Sequence, residues 1–89
     1  MTVMTDQALL DVIRQAVTMV LAVPNDRLHA GTRLDHDLGA DSLALIEIVE
    51  ISEERLRAEG MPVWVDDEVL SNLAVLGDLV TALRWQTRL

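Results

Sequence analysis

Apolar residues recur at three- and four-residue steps from Asp6 to Ala22, where Leu9, Val12, Ile13, Ala16, Val17 and Val20 fall on one side of a helical wheel. Thr5 supplies an N-cap for this segment and Pro24 stops it. From Pro24 to Ala40 the period disappears, and turn formers alternate with isolated leucines. A loop of that length is uncommon unless it packs or has a task, so Leu28, Leu34 and Leu38 are expected to pin it to the core. A second helix starts at Asp41 or Ser42 and runs to about Arg57. With Ser42 at zero and about 100° per residue, Leu45, Ile48, Val49, Ser52 and Leu56 share one side, and Glu47, Glu50, Glu53 and Glu54 gather on the other. Leu43 lands among the glutamates, where an apolar side chain is either incidental or a contact.

Gly60, Met61 and Pro62 end that helix and open a second connection carrying Trp64. Asp66-Asp67-Glu68 reads as the acidic first turn of a short helix ending near Ser71 or Asn72. The last periodic segment, about Ala74 to Trp85, has Leu76, Leu79, Val80 and Leu83 as its stripe, weakened by up to ~1 kcal/mol by Gly77. The pattern predicts an all-α fold: a small four-helix bundle of three main helices and one short one, with a long loop between the first two.

Composition narrows this further. A chain of 89 residues has room for one small core, and without Phe or Tyr that core is built from Leu, Ile, Val, Ala and Met. Trp64 and Trp85 read as core or edge packing. No cysteine is present, which removes disulfides and thiolate metal sites, and two histidines are too few for a dedicated zinc site. Apolar runs are interrupted by charge well before the ~18 residues a membrane span needs. The N-terminus lacks a basic start followed by an apolar block, so a cytoplasmic location is expected. Fifteen acids face seven arginines and no lysine, a formal net charge of -8. That balance repels phosphate backbones and anionic lipid, leaving a basic protein surface as the natural partner.

Three chemistries can be tested on spacing. Asp35, Asp37 and Gly39 suggest a calcium loop, but Ala40 stands where the sharp turn needs glycine and Ile46 where the last ligand should be, with Glu47 one step late. No metal site is expected. Ser42 has His36, Asp37 and Asp41 nearby, yet a nucleophilic serine needs flanking glycines and a sheet, and here Leu43-Ala44 follow in a helical chain. His29 and His36 read as solvated loop residues. For Ser42 itself, spacing alone favours a helix cap worth ~1 kcal/mol, with Asp41 sharing the duty.

The combination around that serine carries more. Leu38-Gly39-Ala40-Asp41-Ser42-Leu43, followed by an acidic helix, resembles the attachment motif of the acyl carrier proteins, and Leu34 and Asp37 fit the loop leading into it. The similarity extends through Ile46-Glu47, Glu53-Glu54, Asp66-Asp67-Glu68 and Leu76-Gly77-Asp78-Leu79-Val80, and so over nearly the whole chain. The resemblance implies a single carrier domain over residues 1–89, not an enzyme, with 4'-phosphopantetheine from coenzyme A on Ser42. It also implies that Asp41 serves recognition by the phosphopantetheinyl transferase. Glu47, Glu50, Glu53 and Glu54, with Leu43 as an apolar anchor, would then dock on basic patches of acyl-loading and chain-processing enzymes of ketosynthase, acyltransferase or ligase type. A monomer is expected. Glu50, Ser52, the long link from Arg57 to Val65, and Ala74-Val75 depart from the usual family pattern and point to a specialised polyketide, fatty-acid or related pathway. A peptidyl or aminoacyl carrier is the near alternative; an unmodified acidic interaction module is the distant one.

Overall fold

The computed structural model describes residues 4–86. Helix α1 spans Asp6–Leu21, and Thr5 caps it by accepting the Ala8 N–H at 3.1 Å. Its end is set by Ala22, which takes a left-handed conformation (φ 58°) and donates its N–H to Thr18 O. Val23 then leads into Pro24, where a helix cannot continue. A short 3₁₀ turn, Asn25–Arg27, follows, and its Asn25 carbonyl accepts two hydrogen bonds from the Arg14 guanidinium of α1.

Helix α2 spans Ser42–Ala58, the one-turn helix α3 spans Asp67–Leu70, and α4 spans Leu76–Trp85. The expected four-helix arrangement is observed, with α1 packed on both α2 and α4. Leu9, Ile13 and Val17 of α1 meet Ile48 and Leu56 of α2 and Leu76, Leu79 and Leu83 of α4 in one core, all of them essentially inaccessible. The long loop is pinned as its leucines predict: Leu28 and Leu34 are buried in the core and Leu38 packs half-buried against that core. Among the described residues no helix is long and apolar enough to cross a membrane.

One boundary differs from the sequence pattern for reasons of tertiary pairing. Helix α4 starts at Leu76 rather than Ala74, because the two residues before it are committed to the loop. Ala74 O accepts from Leu34 N at 2.9 Å, and Val75 pairs with Arg33 in an isolated antiparallel bridge. Valine has no side-chain acceptor, so the cap comes from the other direction: Asp78 Oδ2 takes the N–H groups of Ala74 and Val75 at 2.8 and 3.0 Å. Gly77 also acquires a purpose. Its N–H donates to Ala30 O at 2.8 Å, and a Cβ at this position would lie 3.2 Å from that same oxygen, so the helix gives up some intrinsic propensity for close approach to the loop.

Of the core or edge packing expected for the two tryptophans, the core is excluded. Trp64 is 51% and Trp85 80% exposed, and the aliphatic residues fill the interior without them.

Candidate functional site

The chain approaches α2 through a tight turn that the loop builds from its own backbone. Leu38 N and Gly39 N donate to Arg33 O and Asp35 O, and Ala40 N donates to Leu34 O at 2.8 Å. Asp37 Oδ2 accepts from Arg33 N at 2.8 Å, which stiffens the turn further. Gly39 makes the reversal with φ 61°, a conformation that a β-carbon would penalise by ~1–2 kcal/mol. Asp35 accepts from His36 N at 2.6 Å. That backbone hydrogen bond, with Arg33 adding to it, holds the Asp35 carboxyl below its ordinary value. A depressed carboxylate stabilises the fold above its unfolded pKa, and the contribution is lost as pH falls through the folded one. The acids of this loop are thus engaged in local structure.

At the helix start the duties of Asp41 and Ser42 separate. Asp41 is the N-cap, in extended conformation, and its Oδ1 accepts from Ala44 N at 2.8 Å. Its carbonyl takes the Leu45 N–H at 3.0 Å. Ser42 is therefore the first helical residue, exposed, and its hydroxyl makes no hydrogen bond among the described residues. No hydrogen bond joins it to His36 or to Asp37, whose carboxylate is taken by Arg33 N, so the base–nucleophile pair of a hydrolytic triad is not made. The N–H groups of Ser42 and Leu43 point out of the first turn with no acceptor among the described residues, an environment that favours an anion.

Beside Ser42 lies a groove of about 260 Å³ between α2 and α3, lined by Leu45, Ile46 and Leu70 together with Asp67 and Ser71. Nothing in the pattern of α2 alone predicts it, because its far wall comes from a helix that buries none of its own residues. Ser52, about two turns beyond Leu45, is fully buried, and its hydroxyl is satisfied by donating to Ile48 O at 2.8 Å.

Asp41, Leu43, Glu47, Glu50 and Glu54 all reach solvent along the same helix, Leu43 at 64% exposure. Glu53 does not belong with them. It is 8% exposed, and its Oε2 accepts from Val65 N at 2.6 Å and sits 4.0 Å from Arg57 Nη1. On the wheel it stands at about 20°, at the margin of the core side rather than the middle of the acidic one, and the incoming link covers it. Glu53→Ala is expected to cost about 2 kcal/mol, since it strands a partly buried N–H, with a smaller loss for Glu53→Gln. Urea unfolding monitored by circular dichroism measures both; a loss under ~0.5 kcal/mol would show the contact to be idle.

Comparison with known proteins bears on what such a helix start is for. Residues 11–83 match the family model described as "Phosphopantetheine attachment site". The chain is also 33% identical over 78 residues to "Acyl carrier protein 3" of Ralstonia nicotianae, an alignment covering 88% of this chain and 84% of that protein. It belongs to the acyl carrier protein family. Other acyl carrier proteins with comparable similarity come from Wolinella succinogenes, 33% identical over 82% of this chain and 90% of that one, and Akkermansia muciniphila, 32% identical over 86% and 90%. An acyl carrier protein is a carrier and not a catalyst, and its cofactor is 4'-phosphopantetheine.

Proposed function

We propose that the chain carries acyl intermediates on 4'-phosphopantetheine esterified to Ser42, and passes them between enzymes of a polyketide, fatty-acid or related specialised pathway. The observation that carries this reading is the division of labour at the start of α2: Asp41 caps the helix, which leaves the Ser42 hydroxyl exposed and without a partner. A serine needed only for capping would be bonded to the helix it caps. When bound, the cofactor supplies a thiol that holds the acyl group as a thioester at the end of a flexible arm. Ser42 anchors it, the unpaired N–H groups of the first turn favour the phosphate, and Leu45, Ile46 and Leu70 offer apolar walls beside the attachment atom.

Asp41, Leu43, Glu47, Glu50 and Glu54 form the docking surface for basic patches on the phosphopantetheinyl transferase and on ketosynthase-, acyltransferase- or ligase-type enzymes. Exposed carboxylates steer such partners and are screened by salt, so the contacts are fast and weak, as a shuttle requires. The net charge of -8 supports the same choice of partner. The chain works as a cytoplasmic monomer.

Intact mass after incubation with coenzyme A and a broad-specificity phosphopantetheinyl transferase tests the reading. One phosphopantetheine added per chain is expected. An unchanged mass under conditions that load another acyl carrier protein overturns it and leaves an unmodified acidic interaction module.

A further inference from the structure

The link between α2 and α3 does not wander over the surface; it runs back along α2 and is fastened to it twice. Arg57 Nη1 donates to Val63 O at 2.8 Å, and Glu53 Oε2 accepts from Val65 N at 2.6 Å. Val63 between these points is fully buried. Trp64 lies between the two clasps with its side chain turned the other way, half-exposed, and the Arg57 guanidinium sits 5.1 Å from its ring centroid. An indole held outward by two backbone hydrogen bonds and a cation is a built feature, since a tryptophan free to choose would bury more of its area.

Its place relative to the rest of α2 gives it meaning. With Ser42 at zero, Arg57 falls at about 60° on the wheel, between Ile46 at about 40° and Glu50 at about 80°. Leu43, Glu54 and Glu47 follow at roughly 100°, 120° and 140°. Trp64 therefore covers the C-terminal end of the same stripe that Leu43 opens. Leu43 and Arg57 are separated along the helix axis by about 21 Å at ~1.5 Å per residue. Two exposed apolar side chains thus bracket the carboxylates of Glu47, Glu50 and Glu54. Arg57 would repel a basic visitor, but its charge is paired with Glu53 and its face lies against the indole.

From this arrangement, which rests on the docking reading above, we infer that Trp64 is a second apolar anchor for enzymes that bind α2: the occupant is a basic partner surface with one apolar socket for Leu43 and another, about 20 Å away, for Trp64. The complementary charge of the stripe selects the partner, and the pre-fixed indole adds area at little entropic cost. Tryptophan in such a position is the side chain most often found to dominate binding.

Steady-state loading by a broad-specificity phosphopantetheinyl transferase with coenzyme A supplies the test. For Trp64→Ala a rise in KM of about tenfold is expected, with the effect on KM rather than kcat, an unchanged circular dichroism spectrum, and partial rescue by Trp64→Phe. Leu43→Ala should raise KM similarly, and the double variant should multiply the two effects, as distant sites do. A KM within about twofold of wild type for Trp64→Ala overturns the anchor while the carrier reading stands. A wild-type chain that takes up no cofactor overturns both. A dimer of the wild type that Trp64→Ala dissolves assigns the indole to a second copy and likewise overturns it.

Discussion

Ser42→Ala is expected to abolish loading completely while leaving stability within ~0.5 kcal/mol of wild type, and Asp41→Ala is expected to show the opposite balance. The reasoning lies in who holds the helix end. Asp41 accepts the Ala44 N–H at 2.8 Å and so satisfies one of the orphan donors of the first turn. Ser42 stands at the first helical position with its hydroxyl in solvent, where alanine fits without loss of a contact. Removing the hydroxyl deletes the only atom proposed to accept the cofactor. Removing the Asp41 carboxylate is expected to cost about 1 kcal/mol of helix stability, and also to slow loading, since that carboxylate is proposed to serve transferase recognition. Intact mass reads the first effect and thermal or urea unfolding the second. A Ser42→Ala chain that still gains mass would move the attachment to another residue, and one that unfolds readily would return Ser42 to a capping role.

The sequence alone resolves some of this and not the rest, and the split follows the range of the interactions. The stripe of Leu9, Val12, Ile13, Ala16 and Val17 in α1 is legible because burial imposes its period on neighbours three and four apart. The same holds for Leu76, Leu79, Val80 and Leu83 in α4. The motif around Ser42 is legible too, but Asp41 and Ser42 are both good caps, and only the geometry of the turn at Gly39 decides which one serves. Glu53 is legible in part: the wheel sets it at about 20°, beside the core side and apart from the other glutamates, but that its carboxylate is covered by a link from twelve residues later is something no wheel contains. The start of α4 fails for the same reason, since Ala74 and Val75 could continue a helix locally and are drawn off by Leu34 and Arg33. Tryptophan normally packs inward, so the outward turn of Trp64 depends on Arg57 and Val63, contacts no local rule supplies.

Reversing the charge of Glu47 and Glu50 together, as Glu47→Arg with Glu50→Arg, should lower kcat/KM for loading by about 10- to 100-fold at low salt, the range over which surface charge steers encounters. Both side chains are exposed and carry no hydrogen bond or ion pair among the described residues, so circular dichroism and unfolding should be unaffected within ~0.5 kcal/mol. Salt gives the prediction its discriminating power. The attraction being removed is screened over ~10 Å at 0.1 M and ~3 Å at 1 M, so the gap between wild type and variant should close as ionic strength rises, mainly because the wild type slows. A loss that persists undiminished at high salt would instead mean that the arginines block a close-packed contact. Equal rates at low salt would remove this face of α2 from docking altogether. Glu53 is the internal control: as a buried partner of Val65 N and Arg57, its conservative replacement by glutamine should change stability more than it changes the salt dependence of loading. An acidic residue about three turns from Ser42 can thus be assigned to the fold or to the partner by one titration with sodium chloride.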